Sequence, residues 1–136
     1  MQVVIIEDEE FAARRLERMI SEIDPDIQIV AKLESVVESI KWLQEGLPVD
    51  LIFMDIHLED NSSFTIFSSV SINCPVVFTT ATDEKSTAVF RQNHLDYLLK
   101  PICSEELRKI LEKYNHFDHQ NWKSIDSSIF TNIRNN

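Results

Sequence analysis

Five short apolar runs recur along the chain at similar intervals, at residues 2–6, 27–33, 49–54, 75–80 and 95–99. They are rich in Val, Ile, Leu and Phe, and mostly continuous rather than alternating. Strands buried on both faces of a parallel sheet have this character. Between the runs lie stretches with helical spacing. Over 9–23, the apolar residues Ala12, Leu16, Met19, Ile20 and Ile23 fall on one face, with Arg14, Arg15, Glu17 and Arg18 largely opposite. Over 35–45 the same spacing is carried by Val36, Val37, Ile40 and Leu43, and Trp42 reads as a packing residue. Gly46, with Pro48 two residues on, ends that helix. Ser104, followed by Glu105 and Glu106, opens a last helix carried by Leu107, Ile110, Leu111 and Tyr114. Strand and helix alternate through five strands. The expected fold is therefore α/β, a doubly wound five-stranded parallel sheet with right-handed crossovers.

After Tyr114 the composition shifts to Asn, Ser, Asp and His, and no strand-like run follows. The region 116–136 is expected to be a linker or tail. The spacing of Trp122, Ile125, Ile129 and Ile133 leaves a short amphipathic helix as the alternative. His116 and His119, three apart, are read as solvated tail residues rather than metal ligands.

Composition removes several functions. The 136 residues include a single glycine, where average usage would give about nine or ten. Walker-type phosphate loops, dinucleotide fingerprints and nucleophile elbows each need at least two. The net charge of −10 repels nucleic acid and anionic membrane surfaces, and no basic cluster offsets it. No apolar run approaches the ~20 residues of a membrane span, and the start of the chain does not read as a signal peptide. A cytoplasmic protein is expected. Cys74 and Cys103 fit no metal or redox spacing and are expected to be buried free thiols.

Ligands of open parallel sheets bind beyond the carboxyl ends of the strands. Here those ends carry Glu7 and Asp8, Asp55, Thr79 and Thr80, and Lys100 followed by Pro101. Each alone has an ordinary explanation as a cap, a turn residue or a surface charge. Together, three carboxylates repel unless a cation or proton offsets them. Hard oxygen ligands suit Mg²⁺, and a lysine and a hydroxyl beside it are equipment for binding a phosphoryl group. A carboxylate can itself act as the nucleophile.

These residues sit in four segments: 3–10 (VVIIEDEE), 50–58 (DLIFMDIHL), 75–81 (PVVFTTA) and 96–102 (DYLLKPI). In that order and spacing, the chain resembles the receiver domain of a two-component response regulator over residues 2 to about 114. The last segment is similar to receivers of the LytTR (LytR/AlgR-like) group. The resemblance implies a flavodoxin-like sheet of order 2-1-3-4-5, with residues 1–115 as the receiver domain. Residues 116–136 would then be a linker or tail leading, in a longer chain, to a DNA-binding domain. It implies Asp55 as phosphoacceptor. Glu7, Asp8, Asp55 and the backbone carbonyl of His57 are the implied Mg²⁺ ligands. Lys100 would contact the phosphoryl group, Thr80 and Tyr97 would switch, and Ala81 would leave the donor room to enter. The implied partners are a sensor histidine kinase and, on phosphorylation, a second copy bound through the fourth-helix, fifth-strand, fifth-helix face. This domain itself would bind neither nucleic acid nor membrane. The Lys100–Pro101 bond is expected to be cis.

Three features depart from the family pattern. Glu replaces the commoner Asp at position 7. The loop 59–64 lacks its usual glycine, so Asn61 is expected to take the left-handed conformation. The stretch 82–87 is unusually polar for the start of a fourth helix, and Thr82 and His57 are expected to flank the approach of water to the phosphosite. Two other functions compete. A Mg²⁺-dependent phosphohydrolase would carry a second acid two residues after its nucleophile, where His57 stands. A degenerate receiver, acting only as a binding module, would have lost an acid, the Thr or the Lys. All are present, so a switch without turnover of an external substrate is the expected function.

Overall fold

The computed structural model describes residues 1–81, 84–117, 122 and 124–130. Thr82, His119 and Ile133 lie outside the described residues. Strands β1 (Gln2–Ile6), β2 (Gln28–Leu33), β3 (Leu51–Asp55), β4 (Val76–Thr80) and β5 (Tyr97–Leu99) alternate with helices α1 (Glu10–Ile23), α2 (Val36–Leu43), α3 (Phe64–Ser69), α4 (Glu84–Gln92) and α5 (Ser104–Asn115). All strand pairs are parallel, in the order β2-β1-β3-β4-β5, as expected.

The strands of the middle of the sheet divide their side chains between two cores. Val3, Ile5, Leu51, Phe53 and Val77 face α1 and α5, where Leu16, Ile20, Leu107 and Leu111 meet them. Val4, Ile6, Ile52, Met54, Val76 and Phe78 face the opposite side, against Val36, Phe64, Ile66 and Phe90 of α2, α3 and α4. β3 and β4 are buried at every position. β2 is not: as an edge strand it alternates between exposed and half-buried residues up to its buried last residue, Leu33, so its run of apolar character overstates its burial. α1 also departs from its expected face, burying Ala13 with Leu16 and Ile20 instead of Ala12. Val37 of α2 is exposed because that helix rests on Val36, Ser39 and its half-buried neighbours, among them Trp42.

Helix ends follow local chemistry. Ser35 caps α2, its Oγ accepting from the Glu38 N–H at 3.0 Å. Gly46 follows that helix at φ +71°, a conformation that suits glycine after a helix. At the end of α4, His94 takes φ 55°, and the N–H groups of His94 and Leu95 return to the carbonyls of Arg91 and Phe90. This closes the helix without glycine. Cys103, not Ser104, occupies the N-cap of α5, with Ser104 its first helical residue. Cys103 is exposed rather than buried, because it sits on the connection outside the core. Cys74 is buried, and burial pushes its thiol up to about 12.

Beyond α5 the described residues include a 3₁₀ turn, Ser127–Phe130, whose Phe130 is completely buried. The amphipathic spacing in this region thus yields one short turn among the described residues. No helix among them is long and apolar enough to cross a membrane.

Candidate functional site: a carboxylate cluster bridged by one lysine

The candidate residues stand one position inside or outside the last rungs of the parallel ladders. Glu7 follows β1, and its N–H still bonds to the Leu33 carbonyl at 2.9 Å, which holds it in a buried position. Asp55 is the last residue of β3 and pairs with Thr79. The Lys100 N–H extends β5 by bonding to the Thr80 carbonyl at 2.8 Å, and the Lys100–Pro101 bond is cis. Parallel strands in register therefore deliver these groups to one rim.

There the side chains converge. Lys100 Nζ donates to Glu7 Oε1 at 2.6 Å and to Asp55 Oδ2 at 3.0 Å. Carboxylate oxygens of Glu7, Asp8 and Asp55 lie within 4.8 Å of one another. Asp55 and Glu7 are buried, at 7% and 6% exposure, while Asp8 is half-buried. Burial, then a hydrogen bond with Glu7 and the charge of Glu7, push the Asp8 carboxyl above its ordinary range. Burial pulls the Lys100 ammonium down, but its bonds to Glu7 and Asp55 and their charges outweigh that, and its net direction is upward. One ammonium against three carboxylates leaves two formal negative charges. Oxygen donors carrying that surplus fit a divalent cation that prefers hard ligands.

The remaining expected residues lie on or just beyond the strands that carry this cluster. The His57 N–H lies 3.4 Å from Asp55 Oδ1, and its imidazole is exposed. The Thr80 hydroxyl donates to the carbonyl of Ala81 at 2.7 Å, and Ala81 itself is exposed. Tyr97 points toward α4. Its hydroxyl accepts from Arg91 Nη1 at 3.2 Å, and its ring lies 5.6 Å from that of Phe90.

The loop after Asp55 solves its lack of glycine differently from expectation. His94 is the one non-glycine residue at positive φ among the described residues, so Asn61 is not left-handed. The loop closes instead through a Leu58 N–H bond to the Asn61 carbonyl and an isolated bridge between His57 and Ser62. Its tip is anchored by Asp60, which accepts from the N–H groups of Val36 at 2.9 Å and Val37 at 3.1 Å. These are free donors at the start of α2. The sequence carries no local signal for this role of Asp60, because its partners lie more than twenty positions away.

The Val36 N–H, with further help from Val37, holds the Asp60 carboxyl below its ordinary 3.8. A depressed carboxyl contributes stability above its unfolded value and loses it as pH falls through the folded one. Asp60→Ala is expected to cost about 0.5–1 kcal/mol, the lower part of the range for cap removal because the group is exposed. Urea unfolding at pH 7 and at pH 3 checks this. The deficit should be present at the first and much reduced at the second.

Comparisons with known proteins agree with this geometry. A family profile described as the response regulator receiver domain matches residues 3–112. The chain is 35% identical over 116 residues to the sensory transduction protein LytT of Enterococcus faecalis, covering 83% of this chain and 47% of that protein. It is 33% identical over 119 residues to LytR of Streptococcus agalactiae, again covering 83% and 47%. The chain thus spans about half the length of the curated relatives it matches. Among solved structures, the response regulatory domain of protein MrkE from Klebsiella pneumoniae superposes with a TM-score of 0.71 at 29% identity, covering 85% of this chain and 95% of that one. A two-component response regulator from Clostridium difficile gives 0.70 at 23% identity, over 90% and 99%, and supports the fold. With its parallel sheet ending in a lysine-bridged acidic cluster, the chain belongs to the response regulator receiver domain family, and its curated relatives include LytT- and LytR-type regulators.

Proposed function

We propose that Asp55 accepts a phosphoryl group from the phosphohistidine of a sensor histidine kinase, and that the domain acts as a cytoplasmic switch rather than a turnover enzyme. The observation that carries this reading is Lys100, which bridges Asp55 and Glu7 beside a third carboxylate. One Asp55 oxygen attacks phosphorus in line, forming the O–P bond. The P–N bond of the donor breaks, and its electron pair leaves with the imidazole nitrogen, which takes up a proton. Glu7, Asp8, Asp55 and the His57 carbonyl would hold Mg²⁺, which when bound neutralises charge on the phosphoryl oxygens. Lys100 exchanges its present carboxylate contacts for a phosphoryl oxygen, supplying a positioned positive charge where negative charge gathers. Ala81 leaves the approach open. Thr80 then turns its hydroxyl from the Ala81 carbonyl toward the phosphoryl group, and Tyr97 leaves Arg91 as the space opens. An added charge of about −1.5 to −2 is the driving force.

Residues 1–115 would form the receiver and 116–136 a linker or tail. The match covers 47% of the LytT and LytR relatives, which leaves room beyond it for an output domain, here a DNA-binding LytTR domain. Phosphorylation would strengthen pairing of two copies through α4, β5 and α5. Incubation with acetyl phosphate and Mg²⁺, followed by intact-mass measurement and peptide mapping, tests the reading. One phosphoryl mass located on Asp55, dependent on Mg²⁺, is expected. No gain, or a gain mapped elsewhere, overturns it.

A further inference from the structure

The chain turns back onto the domain after α5. Ser124 Oγ donates to the Ile72 carbonyl at 3.3 Å, and Asp126 Oδ1 accepts from the Ser128 N–H at 2.9 Å to start the 3₁₀ turn. The turn delivers Phe130 into the core with no exposure. Its ring stacks on Phe64 at 4.2 Å and 8°, lies 5.2 Å from Phe67, and meets Phe78 edge-on at 5.7 Å. Ile125 and Ile129 pack against the same core. A short polar segment buries one aromatic ring this fully only where the domain offers a slot for it, and ring burial of this kind dominates local docking energetics.

The slot is not remote from the acidic cluster. Phe64 opens α3 at the end of the loop that starts at Asp55, and the preceding Ser63 N–H bonds to the Ile56 carbonyl at 3.0 Å. Phe78 stands two residues before Thr80. It stacks on Phe90 of α4 at 4.6 Å and 4°, and Phe90 lies against Tyr97. Phe130, Phe78, Phe90 and Tyr97 thus form one unbroken series of ring contacts. Close-packed interiors transmit such displacements, because a ring moves only if its neighbours give.

The rest of the segment borders open space on one side. A cleft of about 410 Å³ remains between it and the α4–β5 connection, lined in part by His94, Leu95, Trp122 and Ile129. The Trp122 indole N–H is buried with no partner among the described residues. Within 124–130 Phe130 alone is fully buried, and Ile125 and Ile129 are half-buried beside it, so the ring is the segment's main anchor.

We propose that the crevice between α3 and the α4–β5 connection is a docking groove for an aromatic-anchored segment of this chain, filled in cis by residues 124–130, and that loading of Asp55 weakens the docking. The proposal rests on Asp55 being the phosphoacceptor. Docking is seen with Thr80 bonded to the Ala81 carbonyl and Tyr97 bonded to Arg91. Rearranging these two disturbs the Phe78–Phe90 stack, whose Phe78 ring Phe130 meets edge-on. Linkage is reciprocal, so freeing the anchor must strengthen loading by the same factor.

Hydrogen–deuterium exchange on the full chain, with and without beryllofluoride and Mg²⁺ as a phosphoryl mimic, tests this. Slower exchange over 56–63 reports loading, and exchange over 124–130 is expected to quicken several-fold at the same time. Slowing of the loop with an unchanged 124–130 segment overturns the docking proposal alone. A loop that does not respond overturns the phosphoacceptor reading and the proposal together. Phe130→Ala, and Phe130→Leu as the variant that keeps apolar volume, should bind the mimic several-fold more tightly than wild type. Equal affinity in a folded variant counts against the coupling. Protection of 124–130 that rises with protein concentration means the groove takes the segment of a second copy, and the cis assignment is then wrong.

Discussion

Asp55→Asn is expected to gain no phosphoryl mass from acetyl phosphate under conditions that load the wild type fully. The amide keeps the size of the carboxylate and one oxygen for Lys100, but it lacks the anionic nucleophile. Loss of structure does not account for that outcome. Asp55 lies in a cluster with two other carboxylates, so removing its charge relieves repulsion as well as one ion pair. The variant should therefore unfold at no lower urea concentration than the wild type when Mg²⁺ is withheld. A mass gain that persists in the variant would move the phosphosite elsewhere on the chain.

Lys100→Ala should produce the second largest effect, and its consequences separate into chemistry and stability. Removing one positioned donor from a site where charge develops costs about 10²–10³ in rate, or ~3–4 kcal/mol of barrier. The initial rate of phosphoryl incorporation at saturating acetyl phosphate and Mg²⁺ measures it. The metal-free protein should also lose stability, because Glu7 and Asp55 are left buried without their shared cation. Breaking a fully buried pair costs about 3–5 kcal/mol. The lysine side chain retains 29% exposure, which lets water screen the pair, so ~1–2 kcal/mol is the expectation here. The deficit should shrink in acid, where carboxylates lose their charge, and on adding Mg²⁺, which replaces the lost cation. A Lys100→Ala protein that loads at wild-type rate would remove Lys100 from the proposed phosphoryl site.

The cluster was legible before the fold was known because its members end their strands. Glu7 follows the β1 run, Asp55 closes β3 and Lys100 follows β5, and parallel strands place their carboxyl ends together by geometry. The partner that Lys100 chooses was not legible in this way. Nothing in the order of residues says that its ammonium reaches across the sheet to Glu7, 93 positions away, as closely as to Asp55. The loop after Asp55 shows the same limit. Its missing glycine was visible, but the remedy was the Leu58 bond to the Asn61 carbonyl, with Asp60 tying the loop to the start of α2, rather than a left-handed Asn61.

Local pattern by itself determined the number of strands, their order of alternation with helices, and which residues close each strand. These depend on periodicity and on chemistry within a few positions. Tertiary structure decided what each face meets. It made β2 an exposed edge, exchanged Ala12 for Ala13 in the face of α1, and gave Phe130, which follows no periodic signal, a slot between Phe64 and Phe78. Apolar periodicity records that a side chain turns inward, but the ring or carbonyl it meets belongs to a distant segment whose position only the assembled sheet and helices establish.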